Sequence, residues 1–418
     1  MRLHPAVVSH AEEVLREVLR FTGPADAILS RYFREHPKLG SRERNAVAES
    51  VYGVLRNKLV YASFSESGFG PAMRRLALLG LADAVGVDAI GGLSPEEIEW
   101  LQRIGQIDRT SLPVALRANL PAWLFEKLVA RDGEAATLQL AEALNRPAPL
   151  DLRVNAIKAK RDEVIAELAK APIQCEPTPY APLGIRVMKK PALQNLPLFK
   201  DGAIEVQDEG SQLLAQIVAP KRGEMVVDFC AGAGGKTLAL GATMRNTGRL
   251  YAFDVSEKRL AKLKPRLARS GLSNVHPVVI AHENDAKIKR LAAKIDRVLV
   301  DAPCSGLGTL RRNPDMKWRQ TPESVAELNI KQTAILASAA RLVKPGGRLV
   351  YATCSLLDEE NEAIAEQFLA KHQDFVLLPM KDVLSEQKIQ LDMQDYLKLL
   401  PQIHQTDGFF AAVFERKK

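Results

Sequence analysis

Three features of the sequence predict a multidomain chain, all-α at its start and α/β over its second half. The length of 418 residues exceeds what one ordinary hydrophobic core organises. Strand signals are nearly absent before Leu150, where apolar residues recur at helical spacing. From Met225 onward, strand-like apolar runs alternate with helical stretches, the pattern of a parallel sheet covered on both faces.

In the first element Ala11, Val14, Leu15, Val18 and Leu19 follow the spacing of one helix face, with charges on the other. A second helix follows Ser41, a suitable N-cap, and sets Val47, Val51, Val54 and Leu55 on one side. Helical stretches continue through 73–81, 95–104 and 123–130. Residues 1–130 therefore read as a helical domain, with a helical linker to about 148. Two prolines in Asn145-Arg146-Pro147-Ala148-Pro149 end that pattern, because they cannot continue a helix. A strand then spans Leu150 to Asn155, a helix 161–170, and short strands 185–188 and 203–206. Linker and small α+β unit together occupy 131–200, and the remaining domain 201–418. Its strands are expected at 225–229, 249–253, 275–280, 297–303 and 347–353, alternating with helices at 236–245, 257–270, 286–294, 323–343 and 358–371. Strands 375–379 and 408–414 are expected to close an edge as an antiparallel pair.

With 46% apolar and 26% charged residues the composition is that of a globular chain. No window approaches eighteen consecutive apolar residues, and Met1-Arg2-Leu3-His4-Pro5 is not followed by an apolar signal core, so a cytoplasmic protein without a membrane partner is expected. The four cysteines, Cys175, Cys230, Cys304 and Cys354, are widely spaced and form no CxxC group, which argues against a disulfide framework and a metal site. Residues 1–150 hold 18 Lys and Arg against 18 Asp and Glu, so the whole formal charge of +8 arises beyond them. A polyanion such as nucleic acid suits that basic part, although a modest basic excess also serves solubility.

Cys304 and Cys354 each close an apolar strand-like run, Arg297 to Pro303 and Arg348 to Thr353. One such cysteine is more often a small buried hydrophobe. Two of them, on neighbouring parallel strands separated by a helix and the Lys344-Pro345-Gly346-Gly347 turn, face the end of the sheet where ligands bind. Ser305-Gly306-Leu307-Gly308 after the first is loose enough for a ligand to approach.

After the first strand of the regular part comes Asp228-Phe229-Cys230-Ala231-Gly232-Ala233-Gly234-Gly235-Lys236-Thr237, a glycine-rich turn feeding a helix. The triphosphate-binding pattern fails at its first glycine, where Cys230 stands, and the dinucleotide pattern fails at its third, where Thr237 stands. Asp254 ends the second strand about twenty residues on, where an acid suits ribose hydroxyls. Adenosyl cofactors without a pyrophosphate meet the same constraint. Asp254 also suits the start of the following helix as a plain cap.

Asp301-Ala302-Pro303-Cys304-Ser305-Gly306, Arg311-Arg312-Asn313-Pro314-Asp315-Met316-Lys317-Trp318 and Tyr351-Ala352-Thr353-Cys354-Ser355 resemble the motifs of the RsmB/Sun RNA (cytosine-5) methyltransferases. The likeness extends upstream through Leu152-Arg153-Val154-Asn155 and Val206 to Gln212, and downstream to Asp407-Gly408-Phe409-Phe410. The helical start, with Val51-Tyr52-Gly53-Val54-Leu55-Arg56, resembles the NusB-like RNA-binding domain fused to the bacterial 16S rRNA members. The resemblance implies an RRM-like small domain and a Rossmann-like class I methyltransferase domain. It further implies S-adenosylmethionine as cofactor, held by Cys230 to Lys236, by Asp254, by Asp285 near the adenine and by Asp301 near the reacting end. Two departures stand out: Gly232 and Ala233 replace the family's usual Ala-Pro pair, and Asp285 lacks the glycine that usually follows it.

Carbon 5 of cytosine is a poor nucleophile, and addition of a thiolate at carbon 6 makes it enamine-like. By resemblance Cys354 is that nucleophile, Cys304 assists release by removing the carbon 5 proton, and Asp301 hydrogen-bonds the base near N3. An ordinary thiol with pKa of about 8.5 is only about 3% thiolate at neutral pH, so the pocket must help ionise Cys354. A helix opening at Ser355 to Asn361 offers a positive dipole, which Asp358, Glu359 and Glu360 oppose. The target base must be single-stranded or flipped out. Arg311, Arg312, Lys317 and Arg319 around Trp318 are expected to supply phosphate contacts and a stacking plane, against the plainer reading of a solvated loop with one buried tryptophan. A monomer acting on 16S rRNA is expected. The competing readings are a tRNA enzyme, a DNA cytosine-5 enzyme, which would lack the Thr353-Cys354 motif, and a catalytically inactive rRNA-binding assembly factor.

Overall fold

Apolar residues at helical spacing pull the first part of the chain into a helical unit whose buried faces share one core. The computed structural model describes residues 2–171, 173–189 and 191–418. The helix Ala6–Val18 buries Val7, Val8, Ala11, Val14, Leu15 and Val18, and the helix Ser41–Arg56 buries Val47, Val51, Val54 and Leu55. The helix Ala72–Val85 crosses the latter at Gly80, where a Cβ would stand 2.5 Å from the carbonyl oxygen of Ser50, so only glycine permits this approach. Helices Ala25–Glu35, Lys58–Ser65 and Val114–Ala118 had no counterpart in the periodicity, being short or only partly apolar.

The chain forms two compact units, residues 1–147 with 309–322, and residues 148–308 with 323–418. The segment 309–322, embedded in the α/β half of the sequence, thus belongs to the helical unit.

Within the α/β unit, strands β1 (Leu150–Val154), β2 (Cys175–Pro177), β3 (Gly184–Val187) and β4 (Ile204–Val206) make an antiparallel sheet in the order β2-β3-β1-β4. The helix Arg161–Lys170 packs Val164 and Leu168 against Leu152, Val154, Ile185 and Ile204. The larger sheet contains β5 (Met225–Asp228), β6 (Arg249–Asp254), β7 (Val275–Val279), β8 (Ile295–Asp301), β9 (Val343–Thr353), β10 (Phe375–Leu378), β11 (Leu397–Leu399) and β12 (Phe409–Arg416). Its order is β10-β12-β9-β8-β5-β6-β7, with β11 paired to β12. The five strands from β9 to β7 are parallel, and β12 and β10 close the edge antiparallel.

The expected helix at 286–294 contracts to Ala286–Lys289, because the chain turns at Ala293, with φ +53°, to enter β8. The expected helix at 358–371 begins only at Glu362, after a 3₁₀ turn at Asp358–Glu360. The dipole imagined behind Ser355 is therefore displaced along the chain. Among the described residues no helix is long and apolar enough to cross a membrane.

Candidate active site

From β5 the chain builds outward through β6 and β7, then returns to add β8 and β9 on the other side. The crevice between the carboxyl ends of β5 and β8 is where open α/β sheets bind ligands. Asp228 ends β5, Asp301 ends β8 beside Ala352 of β9, and Cys354 follows β9. This register brings Cys304 and Cys354 together, their sulfurs 3.3 Å apart and both thiols free. The backbone N–H of Cys354 also donates to the sulfur of Cys304 at 3.3 Å.

Cys304 is held well above the ordinary thiol range by its hydrogen bond with Cys354, by burial, and by the charges of Cys354 and Glu360. Across the crevice Lys236 Nζ donates to Asp301 Oδ2 at 2.6 Å. Burial alone would pull the Lys236 ammonium down, but Asp301, together with Cys354 and Asp228, more than offsets it and the net shift is upward. A charged ammonium therefore stands beside both a carboxylate and the Cys354 sulfur.

The loop before Lys236 is shaped for a ligand. Gly232 takes φ +56° with no atom within 4 Å of where a Cβ would be, so its face is open. Gly234 has φ +81° and a Cβ there would strike Leu263 at 2.1 Å. Two arginines hold the loop from behind: Arg266 donates to the carbonyl of Ala233 at 2.7 Å, and Arg153 to that of Gly235 at 2.9 Å. Arg266 is in turn paired with Glu205 at 2.9 Å. Asp254 accepts from the N–H of Gly232 through Oδ2 at 2.8 Å, and from Ser256 N–H and Arg259 through Oδ1. A carboxylate has about four acceptor positions, so Oδ2 keeps room for a ligand hydroxyl. Ser256, not Asp254, caps the following helix. Asp285 caps the short turn after β7, accepting from Ala281 and Lys287 N–H at 2.9 Å, and these bonds hold its carboxyl below the usual range. Cys230 is half-buried, and desolvation first, then the charge of Asp228, pushes its thiol well up.

Of the expected RNA-contact cluster, Lys317 lies inside the helical unit. Lys317 is 1% exposed, and its ammonium donates to the carbonyl oxygens of Arg56 and Asn119 and to Asn145 Oδ1 at 3.0, 2.7 and 2.7 Å. Trp318 packs on the helical core with its indole N–H on the carbonyl of Leu55 at 2.9 Å, and Lys58 and Lys317 lie 4.5 and 5.1 Å from its ring centre. Arg311 is buried, and Arg312 is partly exposed. Three donors meeting three acceptors leave Lys317 nothing for a phosphate, and Trp318 is half-buried against the helical core.

Sequence reasoning missed several residues that shape the site. Arg153, Glu205 and Arg266 lie far apart in the chain; the two arginines act through backbone carbonyls and Glu205 through Arg266, which leaves no local pattern to read. Glu360 accepts from the residues following both cysteines, Ser305 and Ser355, and was read only as one of three acids at a helix start. Gly308 and Gly408 meet backbone to backbone: a Cβ on Gly308 would stand 2.1 Å from the carbonyl oxygen of Gly408, and Gly408 N–H donates to Gly308 at 2.8 Å. This contact seats the Asp407-Gly408-Phe409 stretch on the Cys304 loop.

A family model described as 16S rRNA methyltransferase RsmB/F matches residues 215–415, and a ferredoxin-like domain model of RsmF/B-like methyltransferases matches residues 120–194. The probable ribosomal RNA small subunit methyltransferase B of Synechocystis sp. is 34% identical, covering 96% of this chain and 97% of its own length. That of Bacillus subtilis is 33% identical, covering 91% and 92%. Among solved structures, a methyltransferase homolog protein from Pyrococcus horikoshii is 31% identical with a TM-score of 0.63, covering 74% of this chain and all of its own.

Proposed function

The chain belongs to the RsmB/Sun family of methyltransferases, and from that premise we propose that it uses S-adenosylmethionine to methylate carbon 5 of a cytosine in 16S rRNA. The observation that carries this reading is the pair of sulfurs 3.3 Å apart at the ends of adjacent parallel strands, facing the Lys236–Asp301 ion pair.

The donor set fits the cofactor. Gly232 to Lys236 would cradle it, Asp254 would accept from the ribose, Asp285 would border the adenine, and Asp228 keeps a buried oxygen without a partner among the described residues. Bound there, S-adenosylmethionine supplies an electrophilic methyl group. Every other part of the reaction falls to the protein. The Cys354 thiolate adds to carbon 6, forming a carbon–sulfur bond and sending electron density to N3 and carbon 5. Asp301 and Lys236 stand where the N3 edge would be held. Once Cys354 is bonded to the ring, its hydrogen bond with Cys304, the largest cause that keeps Cys304 protonated, is lost along with its charge, and Cys304 can ionise. As thiolate it takes the carbon 5 proton, the double bond reforms, and Cys354 leaves as thiolate.

The organisation proposed is a NusB-like RNA-binding domain over 1–130, a linker and small α+β domain over 131–200, and a catalytic domain over 201–418. A monomer in the cytoplasm, where ribosomal RNA is made, completes the reading.

The test is a pair of substitutions with 16S rRNA transcript. Cys354→Ser abolishes transfer and forms no adduct. Cys304→Ser accumulates a protein–RNA adduct that survives denaturing gels. The reverse pattern reassigns the nucleophile. Mapping 5-methylcytosine in rRNA and tRNA from cells with and without the gene decides between the two RNA classes.

A further inference from the structure

We infer that Glu360 is a positioning residue that clamps the two cysteine loops, so that Cys304 and Cys354 meet sulfur to sulfur. This rests on the reading of the two cysteines given above, and adds the group that sets their geometry.

Glu360 lies in the 3₁₀ turn after β9 and is fully buried. Its Oε1 accepts from the N–H of Ser305 at 2.8 Å and from Gln332 Nε2 at 2.9 Å, and its Oε2 from the hydroxyls of Ser305 and Ser355. Ser305 follows Cys304 and Ser355 follows Cys354, and the two hydroxyl oxygens are 3.1 Å apart. One carboxylate thus ties together the residues following both sulfurs. Gln332, itself fully buried, also donates to the carbonyl of Pro303 at 3.0 Å, which fixes the chain on the near side of Cys304 as well. The backbone of Glu360 is held too, its carbonyl accepting from the hydroxyl of Tyr351 at 2.6 Å.

The donors named here are all neutral: one peptide N–H, two hydroxyls and an amide. A carboxylate sealed from water without a cation is expensive, and four donors converging on two oxygens are what make it tolerable. Mere packing of two loops would not require a charge. The charge has an effect on chemistry, because it adds to Cys354 and burial in keeping the Cys304 thiol protonated. Cys354 and Glu360 act on Cys304 through their charges, Tyr351 lies near it, and Lys236 stands beyond Cys354. Of these, Glu360 alone is hydrogen-bonded to the residue following each cysteine.

Glu360→Gln in the full chain removes the charge at nearly constant shape. The expected result is a fall in kcat of about 10- to 100-fold, with KM for RNA and affinity for S-adenosylmethionine within about threefold of the parent. The midpoint pH for alkylation of Cys304 by iodoacetamide, followed by peptide mapping, is expected to fall by about one unit, a readout that a merely structural role would not move. Glu360→Asp keeps the charge but withdraws it by one methylene, and is expected to lose kcat while retaining the high alkylation midpoint. Parental kcat and an unmoved midpoint in Glu360→Gln overturn the inference. If that variant does not fold, Ser305→Ala and Ser355→Ala decide: a kcat drop of about threefold or more in both supports the clamp, and anything less overturns it. Adduct accumulation in Cys304→Ser is scored separately. Its absence defeats the cysteine assignment itself, whereas its presence with an indifferent Glu360→Gln defeats the clamp alone.

Discussion

Asp228 ends β5 sealed from water, one oxygen accepting from the hydroxyl of Thr237 at 2.6 Å. Burial, with the charges of Asp301 and Asp254 added and Thr237 and Lys236 opposing, pushes its carboxyl up to about 7. Its folded value lies above the unfolded one, so the unfolded chain releases this proton first, and the contribution to stability present below the ordinary carboxyl value of 3.8 is lost as pH rises toward 7. Asp228→Asn is therefore expected to gain on the parent between pH 4 and 8 by up to about 4 kcal/mol, read as the difference in denaturation free energy at the two pH values. A constant difference across that range would show that Asp228 is already ionised in the fold. Cys304 and Cys354 were legible as chemistry because each is a thiol at the mouth of a strand-like run. Glu360 was not, because Asp358-Glu359-Glu360 in one dimension looks like a solvated helix start, and only the fold turns the third acid inward.

The segment Arg311 to Trp318 shows how an element can mislead. Two arginines, a lysine and a tryptophan in eight residues look like a nucleic-acid contact. Arg56 ends the helix Ser41–Arg56, and Asn119 and Asn145 cap Val114–Ala118 and Glu134–Leu144 at their C-termini. Lys317 thus places its ammonium at the C-terminal ends of three helices, donating to a terminal backbone carbonyl of two of them and to the side-chain amide oxygen of Asn145 at the third. Lys317→Met is expected to destabilise the helical unit by about 2–4 kcal/mol by denaturant unfolding. The salt slope of RNA binding is expected to stay at its parental value, whereas loss of a phosphate contact would leave stability intact and reduce that slope by about 1. At the glycine contact, Gly308→Ala forces a Cβ onto a backbone carbonyl at 2.1 Å and is expected to lower both melting temperature and transfer rate. The main strands were readable from apolar runs, but β2 and β11 were not, at three residues each and with little periodicity.

At the scale of the molecule, residues 309–322 leave the α/β unit and complete the helical one. With Lys317 buried among helices from the first 147 residues and Trp318 packed against their core, a chain starting at residue 148 deprives this segment of its core. Trypsin is expected to cut such a fragment between Arg311 and Arg319 at least tenfold faster than the full chain, because cleavage needs local opening. Equal rates would mean that the segment holds its shape without the helical unit.

Periodicity, turn residues and motif spacing by themselves determined the helical start, the βα alternation, the glycine loop and the two strand-end thiols, since each is a local preference written in neighbouring residues. Only the tertiary structure decided which side chains the site shares with distant parts of the chain: Arg153 and Arg266 behind the loop, Glu360 beneath the cysteines, Lys317 inside the helices. Burial and the pairing of buried charge are properties of three-dimensional neighbours, and a charged residue carries no mark in the sequence of whether water or three carbonyls will meet it.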